Sequence, residues 1–461
     1  MKTIVEPKDH ISRIWGKQRI NETGVYRLMY YVLRVDHDDK ILFQNTVTGQ
    51  LAELEQAEID VLDKLPMTYD PAMEQLVNEH YLVPEDYDEH DQVVKLRTIL
   101  HQLFFSKTVE PQVINNYTIL PTTACNARCY YCFENGVQFV TMSEQTADDT
   151  VKFIAEHCGD ERKISIRWFG GEPTVAANRI DQICNGLIKH DISYSSTMTT
   201  NGYLFDDEMV SKAKTLWHLK DVMITVDGTE KNYNEIKAYV NVKENPYQRV
   251  LRNVGMLLDQ GIKVGLRMNF DIGNYEDFKD LLKEASERFK GNKLLRVYAF
   301  PIKGEYPDKS GCIHHASEDW FGGKLVELND MARDAGFFER RKELPSLYFY
   351  TCSAGTPAFM VITPEGKLGR CTGIFFREDQ IVGSVADGLI SSDYCKPWIQ
   401  FADPVRCASC QFFPSCVLVE GCPGLDRCFP KETYRQYEEA IKCIFNQRLN
   451  RYQNNKGDCT S

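Results

Sequence analysis

No apolar run in this sequence approaches the roughly 18 residues that a membrane-spanning helix needs, so no span is expected. The first twenty residues, MKTIVEPKDHISRIWGKQRI, also lack the apolar core of about 7 to 15 residues that a secretory signal carries, and a cytoplasmic protein is expected. Positive charge is short: 54 Lys and Arg stand against 66 Asp and Glu, a formal net charge of −12. An acidic surface repels a phosphate backbone, which makes nucleic acid a poor partner. There is no internal repeat and no low-complexity run. With 43% hydrophobic and 26% charged residues, the 461-residue chain has the composition of a folded protein of two to four domains.

Cysteine, by contrast, is plentiful, with 16 residues. In a reducing compartment such thiols are metal ligands more often than disulfides. Three of them, Cys125, Cys129 and Cys132, fall within eight positions, and a second group runs from Cys312 to Cys428. Between the groups lie only Cys158 and Cys184, each in a stretch of helical periodicity that marks it as a small buried apolar residue.

Along the chain, residues 25–46 alternate apolar and polar around HDDK, predicting two strands joined by a turn, and 51–65, 71–83 and 91–105 read as helices. A hairpin followed by helices within about 100 residues is a winged-helix-like pattern, and a fold of that kind does not by itself say what it binds. From 117 onward short apolar strands alternate with amphipathic helices. Six strands are predicted, at 117–121, 164–169, 194–199, 222–226, 264–270 and 294–301. Six βα units imply an α/β fold with a parallel sheet and right-handed crossovers, a partial or closed barrel whose chemistry sits at the C-terminal strand ends. After a helix near 317–337 comes a Cys-rich segment punctuated by Gly and Pro, of the kind ordered by metal rather than by a core.

TTACNARCYYCFEN follows the first predicted barrel strand, and its thiols are spaced CxxxCxxC. Three thiolates on one tight loop can hold three irons of a cubane cluster and leave the fourth iron open to a ligand from outside the protein. Structural zinc sites prefer four protein ligands.

This motif, at the mouth of a six-strand βα unit, resembles the signature of radical S-adenosylmethionine (SAM) enzymes, and further matches occur in register. GGEP (Gly170, Gly171, Glu172, Pro173) stands at the end of the second strand, TTNG, including Asn201, ends the third, and TVDG, including Thr225 and Asp227, ends the fourth. The resemblance implies a (β/α)6 barrel with a [4Fe-4S] cluster on Cys125, Cys129 and Cys132. It also implies SAM contacts from Tyr131, Gly170, Gly171, Glu172, Pro173, Asn201, Thr225 and Asp227, with Glu172 suited to the methionyl ammonium. Where many relatives carry an arginine after the fourth strand, this chain has Lys237, and Arg267 is the other candidate for the SAM carboxylate. The implied chemistry is one-electron reductive cleavage of SAM to a 5′-deoxyadenosyl radical that abstracts a substrate hydrogen.

The later cysteines resemble the SPASM extension of peptide-modifying radical enzymes, which holds two auxiliary [4Fe-4S] clusters. Cys407, Cys410 and Cys416 fit C-x2-C-x5-C, but Cys422 follows after five residues instead of three. The preferred assignment gives one auxiliary cluster Cys407, Cys410, Cys416 and Cys428, with Cys443 as the alternative last ligand. The other takes Cys352, Cys371 and Cys422, with Cys312, Cys395 or an open iron completing it. His314 and His315 read as a solvated loop, and a zinc ribbon divides these cysteines poorly into fours. The resemblance further implies that 1–107 is a RiPP recognition element binding the leader of a ribosomal precursor peptide, that 108–315 is the radical SAM core, and that 316–461 is the SPASM domain. The implied function is thioether crosslinking of that peptide, with carbon-carbon crosslinking or sulfatase-maturase-like oxidation of Cys or Ser as alternatives, and a flavodoxin or ferredoxin as electron donor. The non-enzyme alternative is a zinc-stabilised peptide-binding protein. No single side chain stands out as catalytic base or hydrogen donor.

Overall fold

The computed structural model describes residues 1–105, 113–289, 291–302, 318–337, 344–348, 353–391, 394, 410–416, 438, 441–442 and 445–446. These group into two compact units, one drawn from Met1–Lys107, Arg341–Cys352 and Gln400–Ser461, the other from Thr108–Arg340 and Ser353–Ile399.

The larger unit carries the parallel sheet. All six predicted strands form, as Asn116–Ile119, Lys163–Trp168, Ser193–Thr200, Leu219–Thr225, Lys263–Phe270 and Leu295–Pro301, and they lie side by side in that order. Each neighbouring pair is parallel. The alternation that predicted them is a side-chain alternation. Ile164, Ile166 and Trp168 point to the helix-covered apolar core, together with Val222, Ile224, Val264 and Leu266, while the intervening residues face the opposite side of the sheet. The crossover helices Glu144–His157, Ala177–Lys189, Asp207–Thr215, Pro246–Asp259 and Asp277–Phe289 bury the apolar stripes seen in the sequence. Several start at side-chain caps: Ser143, Asp206 and Asn245 accept from the backbone of the first turn. Cys158 and Cys184 are buried in this core, as their helical setting predicted.

Two features of this unit went unpredicted. A polar helix, Glu230–Lys237, follows the fourth strand. Part of the Cys-rich segment adds to the sheet: Phe359–Ile362 pairs in parallel with the first core strand, and the short strands Lys367–Gly369, Gly383–Ser384 and Gly388–Leu389 continue antiparallel from it. Met360, Ile362 and Leu368 join the apolar core, so this stretch has the core that its sequence was expected to lack. Its apolar run, FMVI, is simply too short to show a period.

The other unit contains two antiparallel sheets. One has the order Lys2–Val5, Leu51–Glu53, Lys40–Asn45, Val32–His37. The HDDK turn closes its hairpin with Asp38 at φ 54, a left-handed position that Asp tolerates. The hairpin therefore spans Val32–Asn45, and Val25–Leu28 belongs instead to a second sheet, between Met67–Thr68 and Leu82–Pro84. The start of the predicted 51–65 helix is strand, with the helix confined to Gln56–Leu62. The 71–83 helix is likewise reduced to the turn Pro71–Met73 and the helix Glu74–Asn78, with Leu82 already in strand, and the third predicted helix forms as Glu89–Phe105. Tyr26, Tyr31, Phe43, Tyr81 and Phe413 fill the core of this unit, so residues from both ends of the chain share it.

Candidate radical SAM site

The loop after the first core strand is fastened at both sides. Thr122 and Thr123 bond through their hydroxyls to the carbonyls of Val140 and Gln138, closing the loop's base. The Arg128 N–H donates to the Lys237 carbonyl and the Val240 N–H to the Asn126 carbonyl, tying the loop to the stretch after the fourth strand. Gly170 and Gly171 let the second strand's end press against it. A Cβ on Gly170 would lie 2.3 Å from the Thr122 carbonyl oxygen, and one on Gly171 would lie 2.4 Å from that of Thr123, so only glycine fits.

Cys125, Cys129 and Cys132 are each partly buried. Burial, with the charge of Glu172 and the neighbouring thiols, pushes Cys125 up to about 12, and burial pushes Cys132 up to about 11. Cys129 is raised too, by burial first, although the Lys237 ammonium pulls it back. Thiols held that high stay protonated near neutral pH unless a cation is bound at them, and the buried core thiol Cys184 is likewise pushed up to about 12. Among the described residues no three His, Cys, Asp or Glu side chains converge on one ion position. A cubane takes one thiolate per iron and needs no such point, so three thiols on one loop fit it. The Cys125 sulfur also accepts from the Ala127 N–H at 3.4 Å and the Asn201 amide at 3.9 Å, outer contacts that suit a cluster ligand.

The second and third strand ends are locked through Glu172. Its carboxylate is fully buried and accepts from the Thr174 N–H and hydroxyl, from the Thr200 hydroxyl at 2.7 Å and from the Asn201 N–H at 2.7 Å. Burial raises its carboxyl pKa against these four donors. The carboxylate that the sequence suggested for an ammonium is thus engaged within the protein, capping the short helix Pro173–Ala176 in which Pro173 is buried. Asn201, held by that carboxylate, sends its side-chain amide to Asn126 at 2.7 Å. It connects the third strand to the cysteine loop.

Asp227, at the end of the fourth strand, is fully buried. Its carboxylate meets the Lys237 ammonium at 2.8 Å, accepts from the Tyr131 hydroxyl at 2.5 Å and accepts from the Asn269 N–H at 3.3 Å. Lys237 also donates to the Thr225 hydroxyl at 2.6 Å, and the Asn269 amide donates to Tyr131 at 2.9 Å. Burial works against the Lys237 charge, but Asp227 and Cys129 overcome it and hold the ammonium well above its usual range. Tyr131, Thr225, Asp227, Lys237 and Asn269 therefore form one network beneath the cysteine loop. Lys237, one of the two residues the sequence offered for the SAM carboxylate, is paired here with Asp227. Asn269, and the neighbouring bond from the Tyr130 hydroxyl to Asp271, had no signal in the sequence beyond lying at a strand end.

Arg267 stands apart from this network. It is half-buried on the fifth strand, in register with Thr225 and Tyr298, with its guanidinium over the Phe300 ring at 5.1 Å and its Nε without a partner among the described residues. Of the later cysteines, Cys371 follows the Lys367–Gly369 strand and accepts from the Gly373 N–H. Cys410 and Cys416 flank the short helix Phe413–Ser415. Cys312, Cys352, Cys395, Cys407, Cys422, Cys428, Cys443 and both His314 and His315 lie outside the described residues.

Residues 119–285 match the Radical SAM superfamily. The chain is similar to the radical SAM cyclopropyl synthase TigE of Paramaledivibacter caminithermalis, at 22% identity over 341 residues, 65% of this chain and 66% of that protein. It spans 40% and 66% of the lengths of the two curated relatives it matches. Among solved structures it resembles anSMEcpe with bound AdoMet and Cp18Cys peptide, at TM-score 0.54 and 16% identity over 74% of this chain and 99% of that one. It also resembles Streptococcus suis SuiB bound to precursor peptide SuiA, at TM-score 0.50 and 15% identity over 85% and 94%. Residues 119–285, which hold the cysteine triad and the strand ends around it, are a radical SAM domain.

Proposed function

We propose that this protein is a radical SAM peptide maturase that installs a thioether between a Cys sulfur and a carbon of a ribosomally made precursor peptide. The observation that carries the reading is convergence in chain order. The triad follows the first strand, and the ends of the second, third and fourth strands bring Glu172, Asn201 and Asp227 to the loop that holds it. A [4Fe-4S] cluster with SAM supplies reductive cleavage of the sulfonium and hydrogen abstraction when bound there. Cys125, Cys129 and Cys132 hold the cluster. The backbone of Gly170 and Gly171, the Asn201 and Thr225 positions and the Arg267 guanidinium are the groups set to orient SAM.

Residues 1–107 serve as the leader-binding module, 108–315 as the radical SAM core and 316–461 as a SPASM domain with two auxiliary clusters. Two of the solved relatives carry peptides by their descriptions, which supports a peptide substrate here. Among the described residues Val32–His37 is paired on one side only, and a leader strand added to that edge matches the expected mode of capture. Thioether formation is preferred to carbon-carbon crosslinking because an auxiliary iron with an open position can take up a substrate thiolate. A cytoplasmic flavodoxin or ferredoxin supplies the electron.

The test is anaerobic incubation of the iron-reconstituted protein, SAM and a reductant with a short peptide encoded beside its gene. A loss of about 2 mass units per event with loss of an alkylatable Cys, accompanied by 5′-deoxyadenosine, supports the thioether. The same loss with every thiol still free favours a carbon-carbon bond. A colourless zinc protein that leaves SAM intact overturns the reading.

A further inference from the structure

The inward positions of a βα barrel are usually filled by bulky branched side chains. Three neighbouring strands of this sheet depart from that rule together. The strand register sets Asn116, Ser165 and Ser195 in one row and Thr118, Arg167 and Thr197 in the next. The residues alternating with them, such as Ile164, Ile166 and Trp168, enter the apolar core, so these six share the opposite face. They line a cavity of 320 Å³, at the lower bound of small-ligand sites, about 300 to 1,000 Å³.

The charge in this cavity is one-sided. Arg167 and Lys220 line it and no Asp or Glu does, in a chain whose formal net charge is −12. Among the described residues neither cation has a hydrogen bond or ion pair. The nearby Arg296, by contrast, donates to Asp221 at 2.6 Å. Arg167 precedes Gly170 by three residues and Thr197 precedes Asn201 by four, so at about 3.3 Å per residue the row lies about 10 to 13 Å along the strands from the ends that meet the cysteine loop.

We propose that this cavity binds a carboxylate carried by the substrate peptide, with Arg167 as its bidentate partner, the hydroxyls of Thr118 and Thr197 beside it and the Asn116, Ser165 and Ser195 row against the adjoining peptide backbone. The proposal rests on the peptide reading above and adds a requirement to it: the segment undergoing modification contains an Asp or Glu, or ends there with a free carboxyl group. Arg167 is a specificity residue in this account and takes no part in SAM cleavage.

The experiment titrates the iron-reconstituted, SAM-loaded full-length protein with four probes: acetyl-Gly-Asp-Gly-amide, its Asn counterpart, acetyl-Gly-Gly-Gly with a free carboxyl, and acetate. The wild type, Arg167→Gln and Arg167→Lys are compared, with the melting temperature and peptide-independent 5′-deoxyadenosine formation as checks on folding and the SAM site. The Asp peptide is expected to bind the wild type at least about tenfold more tightly than the Asn peptide, to lose that margin in Arg167→Gln and to recover part of it in Arg167→Lys, with both checks unchanged. Preference for the free-carboxyl peptide over the Asp peptide, with the same dependence on Arg167, supports the cavity and assigns the carboxylate to a chain terminus. Equal binding of the Asp and Asn peptides, or an Asp affinity indifferent to Arg167→Gln, overturns the proposal. Acetate binding that depends on Arg167 and gains nothing from any peptide overturns the peptide reading while leaving an anion site.

Discussion

The Lys237 ammonium lies 2.8 Å from the Asp227 carboxylate with both side chains sealed from solvent, directly beneath the cysteine loop. Taking two charges out of water is costly, and only good geometry with further hydrogen bonds offsets that cost, which Tyr131, Thr225 and Asn269 supply. Removing one partner leaves the other stranded. Lys237→Met is expected to lower stability by about 3 to 5 kcal/mol in chemical denaturation, and adding Asp227→Asn to recover part of the loss. A single variant within about 0.5 kcal/mol of wild type would show that the pair is open to water.

Glu172→Gln separates two roles. With four donors on its carboxylate, one oxygen replaced by an amide must face a backbone or hydroxyl donor, and the expected cost is about 1 to 3 kcal/mol, with displacement of Asn201 and weaker SAM binding as a consequence. If Glu172 instead holds the SAM ammonium directly, SAM affinity falls while the melting temperature stays put.

Gly171→Ala drives a methyl group into the Thr123 and Ala124 carbonyl oxygens, at 2.4 and 2.6 Å. Neither is the free end of a side chain, so the cysteine loop itself has to move. The variant should fold with about 1 to 3 kcal/mol less stability and bind less iron on reconstitution than the wild type. Full iron content would show that the loop can yield without loss of the site.

His80 gives a pH dependence. Its ring stacks on Trp15 and contacts the Gly16 carbonyl, and burial lowers its pKa below the usual 6.5 despite that carbonyl. The unfolded chain takes up the proton first. The stability conferred by neutral His80 is therefore complete above about pH 6.5 and lost as the pH falls toward the depressed value. His80→Gln should flatten the stability curve as the pH falls below about 6.5; an unchanged slope would refute the assignment.

Arg97 is buried and donates to the carbonyls of Phe413 at 2.7 Å and Pro414 at 3.1 Å, with its guanidinium over the Phe413 ring at 4.7 Å. It holds the turn between Cys410 and Cys416. Arg97→Met is expected to reduce the iron bound per chain while leaving the cysteine triad's SAM cleavage intact. Unchanged iron content would detach this turn from any cluster.

Much of this organisation was legible because it is periodic or tightly spaced. The six strands and their crossover helices declare themselves through alternation and apolar stripes, and the triad through its spacing after the first strand. What stayed hidden depends on three-dimensional satisfaction of polar groups. Nothing in GGEP says that Glu172 spends its carboxylate on Thr174, Thr200 and Asn201, and nothing in NYNEIKAY says that Lys237 turns inward to Asp227. The same holds for Phe359–Ile362, whose partner strand is far away in the sequence. Arg167 could have been singled out from its place on an inward face, but only once the strand registers were known.

That distant pairing bears on how the protein is made. The strand that leads into the cysteine triad has Phe359–Ile362 as one of its two neighbours, about 240 residues further along the chain. During synthesis at about 5 to 20 residues per second, the triad's own strand leaves the ribosome well before that edge can be covered. For tens of seconds the nascent chain exposes an open sheet edge beside the three thiols. A truncation that removes residues 359–362 should therefore aggregate even with every thiol of the triad in place.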